Sequence, residues 1–338
     1  MRRSFVSSSL GLAFALVGCS PSNGTSSGGA TSGGASSSTA GSGGSTPSGG
    51  CGKPHVATQF GDANGDGTPE SETSLVVQGR ERRAAVRFPT GYDPAKPHPL
   101  VFEFHGDQNQ GAPLDPSSRT QGIFGANEYG DRAIVVALRG ENLLAPEVRD
   151  DFAAFVSWDT LRPPVTNPDV AAVQAYRSLV AEQACVAADK VFAVGFSGGG
   201  FFAQALRCFG EEFAGIANFQ SGLDLPAYPF LVDDDGKALH LDVATCDPSA
   251  VPQLVVHLEG DSTVVAQQGI DTASFWADKH GCAPLDESRS SSLEPACVEY
   301  DGCGAGEDVV LCTPAGGGHE VWSPEGAAVV TAFFGRFF

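Results

Sequence analysis

The chain has 338 residues, 41% of them apolar, enough for a sizeable core in one large domain or two ordinary ones. With 20 Lys and Arg against 40 Asp and Glu it carries a formal net charge of -20, a field that repels phosphate backbones and excludes nucleic acid as a partner. Charged residues make up only 18%, and 43 Gly with 22 Pro point to turns and loops rather than long surface helices.

The first residues read as an export signal. Arg2 and Arg3 precede the apolar run Leu10 to Val17, too short to span a bilayer, so residues 1–18 form a signal peptide. The run ends in Leu16-Val17-Gly18-Cys19, the spacing of a bacterial lipobox, in which the thiol of Cys19 takes the lipid. Membrane attachment is expected through that N-terminal lipid alone. From Ser20 to Gly50 every residue except Asn23 is Ser, Gly, Thr, Ala or Pro, which cannot bury apolar area to offset its ordering entropy. Residues 19–50 are therefore expected to be a lipidated cysteine and a disordered tether, and residues 51–338 the folded domain.

The expected elements then follow in chain order. Leu75 to Val77 and Ala84 to Phe88 suggest an antiparallel edge hairpin, in a region preceded by Asp62-x-Asn64-x-Asp66-Gly67. That triplet resembles the start of a calcium loop, but Thr73 stands where a bidentate Glu is required, so an ordinary turn is favoured over a metal site. Leu100 to Phe104 and Ala133 to Leu138 are apolar runs of the buried-strand kind. Val170, Val173, Tyr176, Leu179 and Val180 recur at helical spacing, entered by Asn167 as cap and Pro168 in the first turn. Three more buried strands are expected at Val191 to Phe196, Ala214 to Phe219 and Leu254 to Leu258. A last helix starts at Ser323-Pro324 and carries Val329, Val330, Phe333, Phe334, Phe337 and Phe338. Strands separated by helices imply right-handed crossovers, hence an α/β fold with a mostly parallel sheet covered on both faces.

Apart from Cys19, eight cysteines remain: Cys51, Cys185, Cys208, Cys246, Cys282, Cys297, Cys303 and Cys312, an even number that suits four disulfides in an exported chain. Two pairs are suggested locally: Cys303 with Cys312 across a short turn-rich loop, and Cys185 with Cys208, since a strand's start and the end of the next helix share one sheet edge. A cysteine metal site is disfavoured because no Cys-x-x-Cys spacing occurs.

The chemistry concentrates on the strand Val191 to Phe196. It runs into Gly195-Phe196-Ser197-Gly198-Gly199, a match to G-x-S-x-G followed by a helical segment. A sharp strand-to-helix turn leaves no room for flanking side chains, hence the glycines, and raises the serine oxygen over unpaired N–H groups at a helix N-terminus. A serine nucleophile needs a base and an orienting acid, expected in the order Ser, Asp, His. Asp261 follows the strand Leu254 to Leu258, with Glu259 and Asp271 as competing carboxylates nearby, and His319 follows Gly316-Gly317-Gly318 just before the last helix. The backbone N–H groups of Asp107 and Gly198 are the expected oxyanion donors, with His105 shaping the loop.

From Cys51 onward the chain resembles the feruloyl esterase and polyhydroxybutyrate depolymerase-like branch of carbohydrate esterase family 1. The resemblance is carried by Gly50-Cys51-Gly52-Lys53, residues 89–106, Trp158, Cys185-Val186, the nucleophile turn, Cys208, the His257-to-Asp261 stretch, Gly281-Cys282, and the cysteine-rich run to His319. It implies an α/β-hydrolase fold, a triad of Ser197, Asp261 and His319, disulfide roles for all eight cysteines, and an esterified plant-wall polysaccharide as substrate; the triad chemistry needs no cofactor, and a monomer is expected. Trp158 is a candidate for lining the acyl or sugar site. Gly198 differs from the bulkier residue usual after the nucleophile, His257-Leu258 stands for His-Gly, and Trp322 lies one position late. Two other readings are a polyester depolymerase with the same triad and a non-catalytic surface-binding protein on a hydrolase scaffold.

Overall fold

The computed structural model describes residues 48–53, 70–89, 91–109, 132–140, 155–160, 162–223, 246, 251–286 and 290–338. Cys19 and the Asp62, Asn64 and Asp66 turn lie outside them, and all described residues fall in the compact unit Gly44–Phe338. In chain order the described elements are β1 (Glu70–Val77), β2 (Arg80–Arg87), β3 (His98–Phe104), β4 (Gln108–Asn109), β5 (Ile134–Leu138), β6 (Phe155–Val156), α1 (Pro168–Gln183), β7 (Val186–Phe196), α2 (Gly198–Cys208), β8 (Gly215–Phe219), β9 (Gln253–Val256), α3 (Ala266–Lys279), β10 (Cys297–Glu299), β11 (Val309–Cys312) and α4 (Glu325–Phe334).

Nine strands form one sheet in the order β1-β2-β5-β3-β7-β8-β9-β11-β10. The six inner strands from β5 to β11 run parallel, while β1, β2 and β10 add antiparallel edges. Being covered on both faces, the inner strands are apolar on both: Leu100, Phe102 and Phe104 of β3 face one side and Val101 the other. On the first side α1 and α2 contribute Val170, Val173, Tyr176, Phe202 and Leu206. On the second, α4 sets Val329, Val330, Phe333 and Phe334 against Phe192, Val194 and Phe219, each aromatic burial worth about 1.5–3 kcal/mol. The helix α3 packs through Trp276 onto Val255 and Leu311.

Local rules account for the element ends. The Asn167 side chain accepts from the N–H groups of Asp169 (2.9 Å) and Val170 (3.0 Å), capping α1 behind its first-turn proline. Several expected boundaries shift: β7 begins at Val186 instead of Val191, and β9 ends at Val256 instead of Leu258. The last helix stops at Phe334, and Phe337 and Phe338 follow it in a turn, still packed on Phe333 and Phe192. The expected tether also ends sooner. Ser48 N–H donates to Val186 O and Gly50 N–H to Ala181 O, both at 2.9 Å, so these residues belong to the folded unit.

All eight cysteines are bridged, in the pairs Cys51–Cys185, Cys208–Cys246, Cys282–Cys303 and Cys297–Cys312. This corrects both local pairings. Cys297 and Cys312 are direct partners across the antiparallel β10–β11 ladder, which leaves Cys303, in the connecting loop, to fold back onto Cys282 just past α3. Cys185 and Cys208 sit in different clusters: Cys208 lies under α3 beside Trp276, whereas the residues flanking Cys185 belong to the α1 side. A shared sheet edge was therefore insufficient. In the chain-entropy account Cys51–Cys185, with a separation of 134, contributes about 5 kcal/mol and Cys297–Cys312, with a separation of 15, about 3 kcal/mol. Denaturant titration of the paired serine replacements checks this: Cys51→Ser with Cys185→Ser is expected to lose more stability than Cys297→Ser with Cys312→Ser.

Candidate active site

Ser197 stands between β7 and α2 with φ at 51°, a left-handed conformation that an ordinary residue holds only where surrounding structure enforces it. Its N–H donates to Phe219 O at 2.9 Å, fastening the turn to the end of β8. The flanking glycines are required by close approach: a Cβ at Gly195 would lie 2.1 Å from Gly199 O, and one at Gly199 would lie 2.2 Å from Phe104 O. The nucleophile turn is thus pressed against the end of β3 with no space for a methyl group.

Asp261 follows β9, and its carboxylate is oriented by its own loop. Oδ1 accepts from the N–H groups of Thr263 (2.8 Å) and Val264 (3.0 Å). His319 reaches it from the loop after β11. The two loops prolong the parallel β9–β11 ladder: His257 N–H donates to Cys312 O, Glu259 N–H to Pro314 O and Gly260 N–H to Gly316 O. Gly316 and Gly317 both take positive φ, and a Cβ at Gly260 would meet Gly317 O at 2.1 Å, so the glycines let the loops touch.

The structure brings the three residues together. His319 Nδ1 lies 2.8 Å from Asp261 Oδ2, and its Nε2 lies 2.8 Å from Ser197 Oγ. Asp261 is buried, His319 is partly open, and the Phe196 ring lies 5.1 Å from the imidazole. The arrangement can carry a proton from the serine oxygen to a histidine whose other nitrogen faces a carboxylate.

Beside it, Gly198 opens α2, and Asp107 follows β3. Asp107 Oδ1 accepts a hydrogen bond from Ser157 Oγ and occupies the place a side chain at 198 would take, since a Cβ there would lie 2.0 Å from that oxygen. The absent side chain at Gly198 is thereby explained by the carboxylate across from it, and Ser157 is a contributor that the sequence did not single out. His105 Nε2 accepts from Gly140 N–H at 2.9 Å and its Nδ1 lies 2.7 Å from Gly106 O, a loop-shaping position.

Trp158, the candidate for the acyl or sugar site, is packed into the core. Its indole is buried, stacked on Phe202 and edge-on to Phe104, and its N–H donates to His105 O at 2.7 Å. It supports the loop that holds Asp107, because a buried indole needs both apolar contact and an acceptor. Among the described residues no group of three or more His, Cys, Asp or Glu side chains is arranged to hold a metal, and no helix is long and apolar enough to cross a membrane.

No family model matches the chain. Feruloyl esterase C of Emericella nidulans is 26% identical over 258 residues, spanning 75% of this chain and 82% of that protein. Feruloyl esterase D of Neurospora crassa is 27% identical over 277 residues, spanning 80% and 82%. Among solved structures, an acetyl xylan esterase from Aspergillus awamori shares the fold with a TM-score of 0.52 at 15% identity, over 78% of this chain and 99% of that one. The chain is similar in sequence to feruloyl esterases and is built on the α/β-hydrolase fold.

Proposed function

We propose that this protein releases ferulate or acetyl groups from plant cell-wall xylan with Ser197 as nucleophile, His319 as general base and acid, and Asp261 as orienting carboxylate. Its class as a carboxylic ester hydrolase follows from homology to feruloyl esterases. The observation that carries the mechanism is the unbroken hydrogen-bonded chain from Ser197 Oγ through His319 to Asp261.

In this reading His319 Nε2 takes the proton from Ser197 as Oγ attacks the ester carbonyl, and Asp261 Oδ2 steadies the imidazolium that forms. The N–H groups of Gly198, first in α2, and of Asp107 receive the oxyanion. His319 then gives the proton to the departing sugar hydroxyl, and water repeats the sequence on the acyl-enzyme. Four disulfides fit a chain that works outside the cytoplasm. Export by residues 1–18 and anchorage through a lipid on Cys19 complete the reading.

The test is ferulate release from feruloylated xylan by the purified protein, with short p-nitrophenyl esters alongside. Release of ferulate is the expected result. Hydrolysis of the short esters alone moves the substrate towards acetyl-xylan or a polyester, and inactivity on all of them favours the non-catalytic scaffold.

A further inference from the structure

A second histidine adjoins the proposed acid. His257 follows β9, its imidazole is fully buried, and its Nε2 lies 2.7 Å from Val264 O and 3.5 Å from Asp261 Oδ2, the same oxygen that faces His319. Val264 is tied through both of its backbone polar groups: its N–H donates to Asp261 Oδ1, and its carbonyl accepts from His257. The ring itself is fixed from two other directions. Its backbone N–H donates to Cys312 O at 2.9 Å, and α3 lies on it at Gly269, where a Cβ would come within 2.6 Å of Nδ1.

We infer that His257 is a positioning residue for Asp261, holding the carboxylate in register with His319 through the Val264 peptide. This rests on the triad reading above. With the ring neutral and Nε2–H donating to Val264 O, Nδ1 carries no proton. Burial pushes the imidazole below the usual histidine range, against the opposing pull of the Val264 carbonyl and Asp261, and this agrees with a neutral ring. A neutral N–H donor fixes the loop without placing a second cation beside Asp261, which leaves His319 as the histidine hydrogen-bonded to the carboxylate. Gly269 is the matching requirement on α3, since any side chain there would drive the ring off Val264.

The test compares His257→Gln with His257→Asn in the full-length protein. A glutamine amide nitrogen reaches the position of Nε2, whereas asparagine reaches only that of Nδ1. The glutamine variant is expected to keep kcat within about threefold of the parent, and the asparagine variant to lose kcat by about 10- to 100-fold at unchanged KM, the scale of a displaced catalytic group. The downfield proton resonance of His319 Nδ1–H should persist with glutamine and broaden or move upfield with asparagine. Equal activity and an unchanged resonance in both variants would overturn the inference. So would an equal loss in both with a lowered melting temperature, which would make the ring a packing element only. Ser197→Ala measured in parallel separates the two readings: if it stays active the triad itself fails, whatever the His257 variants do.

Discussion

Replacing Ser197 by alanine is expected to lower kcat for ester hydrolysis by on the order of 10⁴- to 10⁶-fold while leaving the melting temperature unchanged. The two halves of the expectation have separate physical grounds. Activity falls because no other described hydroxyl is hydrogen-bonded to His319 Nε2, so the base has no proton to take. Stability holds because the Ser197 side chain makes no capping bond to α2, and the turn is secured by its backbone, through Ser197 N–H to Phe219 O and the neighbouring glycines. Active-site titration of the acyl-enzyme with a p-nitrophenyl ester, alongside thermal unfolding, reads both. A variant with most of its activity would show that the nucleophile lies elsewhere.

Gly199→Ala is expected to have the largest effect on folding, about 3 kcal/mol or more, and to give little soluble protein. The added methyl would meet the Phe104 carbonyl oxygen at 2.2 Å and that of His105 at 2.4 Å. Both belong to backbone, one of them in the central strand β3, which pairs with β5 and β7 and cannot yield without breaking its ladders. The control is Gly318→Ala, where a methyl meets nothing within 4 Å and stability should stay within about 0.5 kcal/mol. Circular dichroism and denaturant midpoints compare the two. Equal stability would mean that the nucleophile turn is not tightly seated on β3.

The buried strands were legible because parallel strands covered on both faces read as continuous apolar runs, as with Leu100 to Phe104 and Val191 to Phe196. Turn chemistry and chain order singled out Ser197 and Asp261, each just beyond a strand that the sequence marks, and His319 through the glycine run before the last helix. Pairings of distant residues were not. Cys297 finds Cys312 only through the β10–β11 register, and neither short strand has enough length to announce itself. Trp158 was ambiguous for a related reason: a lone tryptophan reads equally as platform or as support, and only the folded chain shows its Phe202 stack and its bond to the His105 carbonyl. The Asp107 carboxylate in the space beside Gly198 joins residues from two strands' ends, a relation no local pattern encodes.

The Cys51–Cys185 bridge also gives the domain a front and a back. Cys185 precedes the first residue of β7 and Ser197 follows the last, so the two lie at opposite ends of the sheet, separated by about 20 Å along the paired length of β3. Whatever chain runs ahead of Ser48 joins at the back, and the Ser48 and Gly50 hydrogen bonds hold that junction in place. The strand ends bearing Ser197, Asp261 and His319 all face the front. A fusion partner or immobilising group joined ahead of Ser48 would therefore load the rear end of the sheet, remote from Ser197, Asp261 and His319.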